Sequence, residues 1–180
     1  MAHTSDNNYN YSEDDVRLTN NDLAFIALAN EYCAALEGVA STEPMDFINS
    51  MLKLLPRIYI CAFDLRIDSL TEESGYIAPS LQEEQYDAVR NSIAAVLGED
   101  DTFLEVVIQD MKYSDTPIAV TISESLADIY QELYDVLAVC RDAPNYLIQE
   151  TLTAVRMSFE EHWSRTLANV FRAINYIKFP

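Results

Sequence analysis

Read at 100° per residue, the stretch Thr121 to Arg141 separates into two faces. Leu126, Ile129, Tyr130, Leu133, Val136, Leu137 and Cys140 fall on one side, and Glu124, Asp128, Glu132 and Asp135 on the other. Thr121, with Glu124 three residues on, has the form of a capping box, and Ser123 offers a second N-cap. This pattern predicts an amphipathic helix with an apolar side for the core and an acidic side for solvent. The rest of the chain is expected to pack around it.

Ahead of that helix, Met1 to Arg17 is polar, rich in Asn and Asp and without a period, which predicts a flexible acidic leader, 1–17, before a single α-helical domain, 18–180. A first helix begins at Thr19 to Asp22, where capping residues cluster, and stops at Gly38. It carries two apolar stripes: Phe25, Leu28, Ala29, Tyr32 and Leu36 in one, and Leu23, Ile26, Ala27, Cys33 and Ala34 in the other. Two stripes predict neighbours on two sides, with Asn30 as an interior, hydrogen-bonded amide. A second helix starts at Ser41 to Pro44, and Pro56 is expected to kink or split it before it resumes to Leu65. Residues Arg66 to Pro79 lack a period and predict a surface connection held by Tyr76 and Ile77. Ser80 with Glu83 forms another capping box, opening a third helix that Gly98 ends. Between Glu99 and Val120 we expect a short helix and then an extended link from Tyr113, although Val106, Val107 and Ile108 also fit strand. After Pro144, Asn145 can cap a final helix whose stripe, from Ile148 through Val155, Phe159, Trp163 and Leu167 to Ile177, lasts about eight turns.

Composition agrees with this reading. Three glycines and six prolines among 180 residues leave few tight turns, and 49% hydrophobic residues supply a sizeable core. The expected fold is all-α: a single-domain helical bundle of about six helices with a long C-terminal helix. No segment has the length and apolarity of a membrane span, and the N-terminus lacks a signal-peptide pattern.

The formal net charge of −19 sets a field that repels nucleic acid and anionic membrane, and attracts basic protein. Cys33, Cys61 and Cys140 are odd in number and each lies among apolar helical neighbours, which points to reduced thiols and a cytoplasmic location. Neither histidine, His3 or His162, sits in a Glu-x-x-His pair, so a di-iron bundle lacks its ligands. Glycine occurs only at 38, 75 and 98, which removes phosphate loops and nucleophile elbows. No catalytic set, metal site or cofactor is expected. Arg156 lies inside the apolar stripe of the last helix and must find a carboxylate or carbonyls there; it is also the one candidate for binding an anion.

Three phrases together resemble the bacterial domain of unknown function 5063 family. They are Leu23 to Cys33 (LAFIALANEYC), Leu55 to Tyr59 (LPRIY) and Ser123 to Leu133 (SESLADIYQEL), with Trp163 in the last helix as a further point of likeness. The resemblance implies a cytoplasmic helical domain and brings no assigned activity or site.

With no known activity to inherit, the residues favour a non-enzymatic interaction module whose acidic surface, Glu124, Asp128, Glu132 and Asp135, meets a basic protein or peptide. The alternative is a Mg²⁺-dependent hydrolase similar to the all-α nucleotide pyrophosphohydrolases. Asp128 and Glu132 would then join Glu83, Glu84 or Asp87 across a cleft, with Ser125 standing where that family places its first metal-binding Glu.

Overall fold

A computed structural model describes residues 16–67, 77–105 and 118–180. Helix α1 (Asn20–Glu37) opens on a reciprocal cap: Asp22 N–H donates to Thr19 Oγ1 at 3.1 Å, and Thr19 N–H donates to Asp22 Oδ2 at 2.7 Å. Helix α2 (Pro44–Phe63) begins on Pro44, where a missing N–H is harmless, and continues through Pro56 as one helix, so of the kink or split expected there the split is not found. An interior proline costs about 3 kcal/mol. Leu54, Leu55, Ile58 and Ala62 are buried on both sides of it, and that burial holds the two halves in one rod.

Helix α3 (Glu83–Leu97) starts later than Ser80. Its N-cap is Gln82, paired reciprocally with Gln85, and Gly98 closes it at φ 57°, a left-handed value that suits glycine. A 3₁₀ turn, Gly98–Asp101, leads into strand β1 (Thr102–Glu105), which pairs antiparallel with β2 (Ile118–Thr121), Thr102 opposite Thr121 and Glu105 opposite Ile118. The short helix expected after Glu99 is therefore corrected to a strand. Along β1 the burial alternates between exposed and half-buried with the period of two that a strand requires. The extended link expected before Thr121 is found in β2. The leader up to Asp15, Tyr76, and the run Val106 to Ile108 lie outside the described residues.

Helix α4 (Ile122–Cys140) takes the central place predicted for it, packing against α1 and α3 and against α5 (Asn145–Ser158) and α6 (Ser164–Lys178). Its buried face is Leu126, Ala127, Ile129, Tyr130, Leu133 and Val136. Tyr32 of α1 donates its hydroxyl to the Leu126 carbonyl at 2.9 Å in the interior, and Tyr130 donates to Glu37 at 3.0 Å. Burial of the Tyr32 phenol pushes its pKa well above the ordinary tyrosine value, so it remains the donor.

The long C-terminal helix is one unbroken rod in which α5 passes into α6 through a π turn, Phe159–Trp163. Its N-cap is Pro144, not Asn145, whose amide instead donates to the Val16 carbonyl at 3.1 Å. Phe159 packs edge-on against Tyr59 and Trp163, with ring centroids 5.0 and 4.6 Å away, which ties the π turn to α2.

Leu133 has no exposed surface, so Leu133→Ala should cost about 2–5 kcal/mol in denaturant unfolding. Tyr32→Phe, which removes one buried hydrogen bond and leaves the ring, should cost about 0.5–1.5 kcal/mol. A Leu133→Ala loss no larger than that of Tyr32→Phe would contradict the central position of α4.

Candidate functional site

The four acids on the outer side of α4 do not form one free surface. Asp135 is buried, and its Oδ1 accepts from the backbone N–H groups of Ser80 and Leu81 at 2.7 and 3.0 Å. The residue expected to cap α3 from Ser80 is thus drawn to α4 instead. Glu132 is half-buried and accepts from the Ser158 hydroxyl at 3.0 Å; burial is the first cause that raises its pKa above the usual carboxylate value, and the Ser158 bond acts against it. Asp128 is exposed and accepts from the Tyr86 phenol at 2.7 Å. Glu124 alone of the four is exposed without a side-chain partner among the described residues. The expectation that all four face a partner is therefore corrected for Asp135 and Glu132. Helical periodicity placed them together, but the segment before α3 and the α5 helix cover that part of the face.

These contacts shape two adjoining clefts that share Gln131. One, about 250 Å³, is lined by Ile77, Pro79, Glu132, Asp135, Ala154 and Ser158. The other, about 380 Å³, lies over α3 and is lined by Leu81, Gln82, Glu83, Tyr86, Asp87 and Arg90. Helix α3 packs against α4 beside these patches. What joins them is the Tyr86 phenol on Asp128, and among the described residues no three His, Cys, Asp or Glu side chains are grouped so as to hold a metal ion. The arrangement that a two-patch Mg²⁺ site requires is not found there.

A fifth carboxylate, Asp101, escaped the sequence reading. It is buried at the start of α4 and accepts from both the N–H and the hydroxyl of Ser123, each at 2.7 Å, anchoring the helix N-terminus from outside the helix. Nothing in the run Glu99, Asp100, Asp101 distinguished it from its neighbours. Tyr86 and Ser158, whose hydroxyls donate to carboxylates of α4, gave no signal either.

Arg156 is 8% exposed and its requirements are met largely from within. Nε donates to the Phe63 carbonyl at 3.0 Å, Nη2 pairs with Glu160 at 2.6 Å, and the guanidinium lies over the rings of Phe63 and Phe159. The structure thus shows the ion pair that the sequence offered as one of two roles. The thiols are not activated: burial pushes Cys33 up to about 12 and Cys140 up to about 11, and it raises Cys61 as well. A further cleft of about 530 Å³ opens between β1 and α6, with Phe103, Leu104, Tyr176 and Ile177 in its wall and Arg172 donating to the Leu104 carbonyl at 2.9 Å.

Helices closed around one apolar core, with a surface of carboxylates engaged by neighbouring helices, define an all-α domain. Comparison with known proteins is consistent with that class. The chain belongs to the family described as domain of unknown function (DUF5063), whose model matches residues 16–180. It is similar to the crystal structure of protein BF1032 from Bacteroides fragilis, at 29% identity and a TM-score of 0.74, over 89% of this chain and 93% of that one. No curated protein matches it.

Two tests follow from the α4 carboxylates. Asp135→Ala leaves the Ser80 and Leu81 donors without their acceptor, at an expected cost of about 1–3 kcal/mol, and amide hydrogen exchange should accelerate at those two residues. Glu132 has a folded-state pKa above its unfolded one, so the folded protein binds more protons between the two values and its stability falls as pH rises through the folded pKa. Glu132→Gln keeps an acceptor for Ser158 and removes that fall. It should melt higher than the parent at pH 8, with the gap closing below about pH 4; a gap that does not change with pH would show that burial of the charge is not the cause.

Proposed function

We propose that this protein is a non-enzymatic interaction module that takes a basic protein or peptide segment onto the exposed acids of α3 and the first half of α4. The observation that carries the reading is uncompensated charge. Among the described residues Glu83, Glu84 and Glu124 have no cationic partner, and only Asp87, paired with Arg90 at 2.9 Å, is neutralised. Tyr86 stands at the centre of this surface, its hydroxyl on Asp128 and its pKa raised first by burial and then by that bond, with Glu124 adding to the effect. Its ring already carries the guanidinium of Arg90, 5.9 Å from the centroid, so it is the carboxylates around it that are open to the head of a lysine or arginine. The surrounding field of −19 adds long-range attraction for such a segment. Three unpaired thiols favour a reducing compartment, and we assign the module to the cytoplasm.

A lysine-rich peptide serves as the probe. Titration calorimetry should show binding at low ionic strength that weakens by about tenfold or more as salt approaches 0.5 M, because screening shortens the reach of the field. Reversing Glu83, Glu84 and Glu124 to Lys should remove the binding, whereas reversing the exposed pair Glu43 and Asp46 at the start of α2 should leave most of it. Equal losses from both reversals would mean that net charge, and no particular surface, attracts the peptide.

A further inference from the structure

Two open surfaces carry apolar side chains outside the core. Between α1 and α2, Leu23 and Ile60 are exposed near a groove of about 320 Å³, and Asn30, expected as an interior amide, is exposed on α1 as well. The one cation of that groove, Arg57, already faces Glu31 at 3.7 Å, so the groove selects no partner by charge. The cleft of about 530 Å³ between β1 and α6 differs, because its charges are open. Phe103, Leu104, Ile122 and Ile177 give it apolar walls, while exposed Glu99 and Asp100 line it from the turn after α3 and Arg172 lines it from α6. Among the described residues neither acid has a cationic partner, and Arg172 has no carboxylate within ion-pair distance. Its Nη2 donates to the Leu104 carbonyl at 2.9 Å, and the next carboxylate along the strand, Glu105, is taken by Asn169 Nδ2 at 3.0 Å.

We propose that this cleft receives the C-terminal end of a basic protein segment, with an apolar last side chain between β1 and α6, its carboxylate on Arg172, and the preceding lysines or arginines on Glu99 and Asp100. The proposal rests on the reading that α3 and α4 take a basic segment, and it says which part of that segment lies here. The cleft continues that surface: Ile122 in its wall opens α4 two residues before Glu124, and Glu99 and Asp100 follow directly on α3. A basic segment laid along these acids meets an unpaired cation at this end. An internal run of lysines is repelled by Arg172 and brings it no acceptor. The α-carboxylate is the one anion that a basic segment carries whatever its side chains, and a guanidinium is suited to bind it. The bond to Leu104 uses one N–H of Arg172 and fixes the orientation of the group, leaving the other N–H donors for a carboxylate. A volume of about 530 Å³ falls within the roughly 300–1,000 Å³ of small-ligand pockets, enough for one large side chain and the carboxylate beside it.

A lysine-rich peptide ending in phenylalanine tests this in two forms, one with a free C-terminal carboxylate and one amidated, each titrated calorimetrically into the full chain. Amidation makes the peptide more cationic, so attraction by the net charge of −19 alone predicts tighter binding. The cleft predicts the opposite, a loss of about tenfold. Arg172→Gln, at an exposed position, should bring the free form down to the level of the amidated one while circular dichroism stays unchanged. Ending the free form in glycine instead of phenylalanine should weaken it by about tenfold against the parent chain, because the apolar walls then go unused. Glu99→Gln combined with Asp100→Asn should weaken both forms alike. Amidated peptide that binds as tightly as the free form or tighter, a difference between the forms that Arg172→Gln leaves intact, or a terminal phenylalanine that contributes nothing overturns the cleft and leaves the acidic surface of α3 and α4 standing. Binding that survives reversal of Glu83, Glu84 and Glu124, with the difference between the two forms kept, overturns that surface and supports the cleft. Absence of binding by either form overturns both.

Discussion

A carboxylate taken out of water must be given donors, and α4 is held in place by carboxylates that have been given them. Asp101 receives two donors from Ser123 at the start of the helix, and Asp135 receives two backbone N–H groups from Ser80 and Leu81. Glu132 and Asp128 take one hydroxyl each, from Ser158 and Tyr86. The apolar side of α4 meets α1 and α6 through burial, which is strong but permits sliding and rotation. The directional bonds on its other side remove that freedom. They fix the height of α4 against α3, the path of the chain before α3, and the rotation of α5.

That division explains why the sequence revealed the helix and misjudged its outer side. Periodicity reports which residues share a face. It does not report what lies across from that face, and a carboxylate row reads alike whether it meets water or a backbone turn. Ser80 shows the same limit from the other direction. Its spacing to Glu83 is that of a capping box, yet its N–H is taken by Asp135, and α3 opens on the Gln82 and Gln85 pair instead. The local motif loses the Ser80 N–H to a tertiary carboxylate that takes it together with the next N–H along the chain. The strand at Thr102 to Glu105 is a comparable case, since four residues are too few for either period to be decisive, and pairing with Ile118 to Thr121 settled the matter.

The π turn was closer to legible. From Val155 the inward positions of the last helix advance to Phe159, Trp163 and Leu167 in three successive steps of four, a longer stride than the 3.6 residues of an α-helix turn. A regular helix holding that stride would rotate its stripe away from the core. One wider turn at Phe159–Trp163 restores the phase, so Val155, Phe159, Trp163 and Leu167 are all buried along one rod. Arg156 shares that rod and is accommodated because the Phe63 carbonyl and ring lie across the contact and the Phe159 ring lies beside it on the rod, and a guanidinium can bind to these without leaving the core.

The same matching of donors to carboxylates sorts the acids into two populations and gives the surface its character. Asp101 and Asp135 are engaged inside, and Glu37, Glu132 and Glu160 are occupied at its margin by Tyr130, Ser158 and Arg156. These carboxylates count in the net charge but are each already met by a donor, so the unpaired charge presented to solvent is that of the remainder. On α3 and the first half of α4 the remainder is negative and largely uncompensated, whereas on α1 and the second half of α2 it is an apolar groove with one balanced pair. Tyr32 and Tyr130 lock α1 to α4 across the core. A count of acids along the sequence therefore cannot separate the two populations until the donors are known.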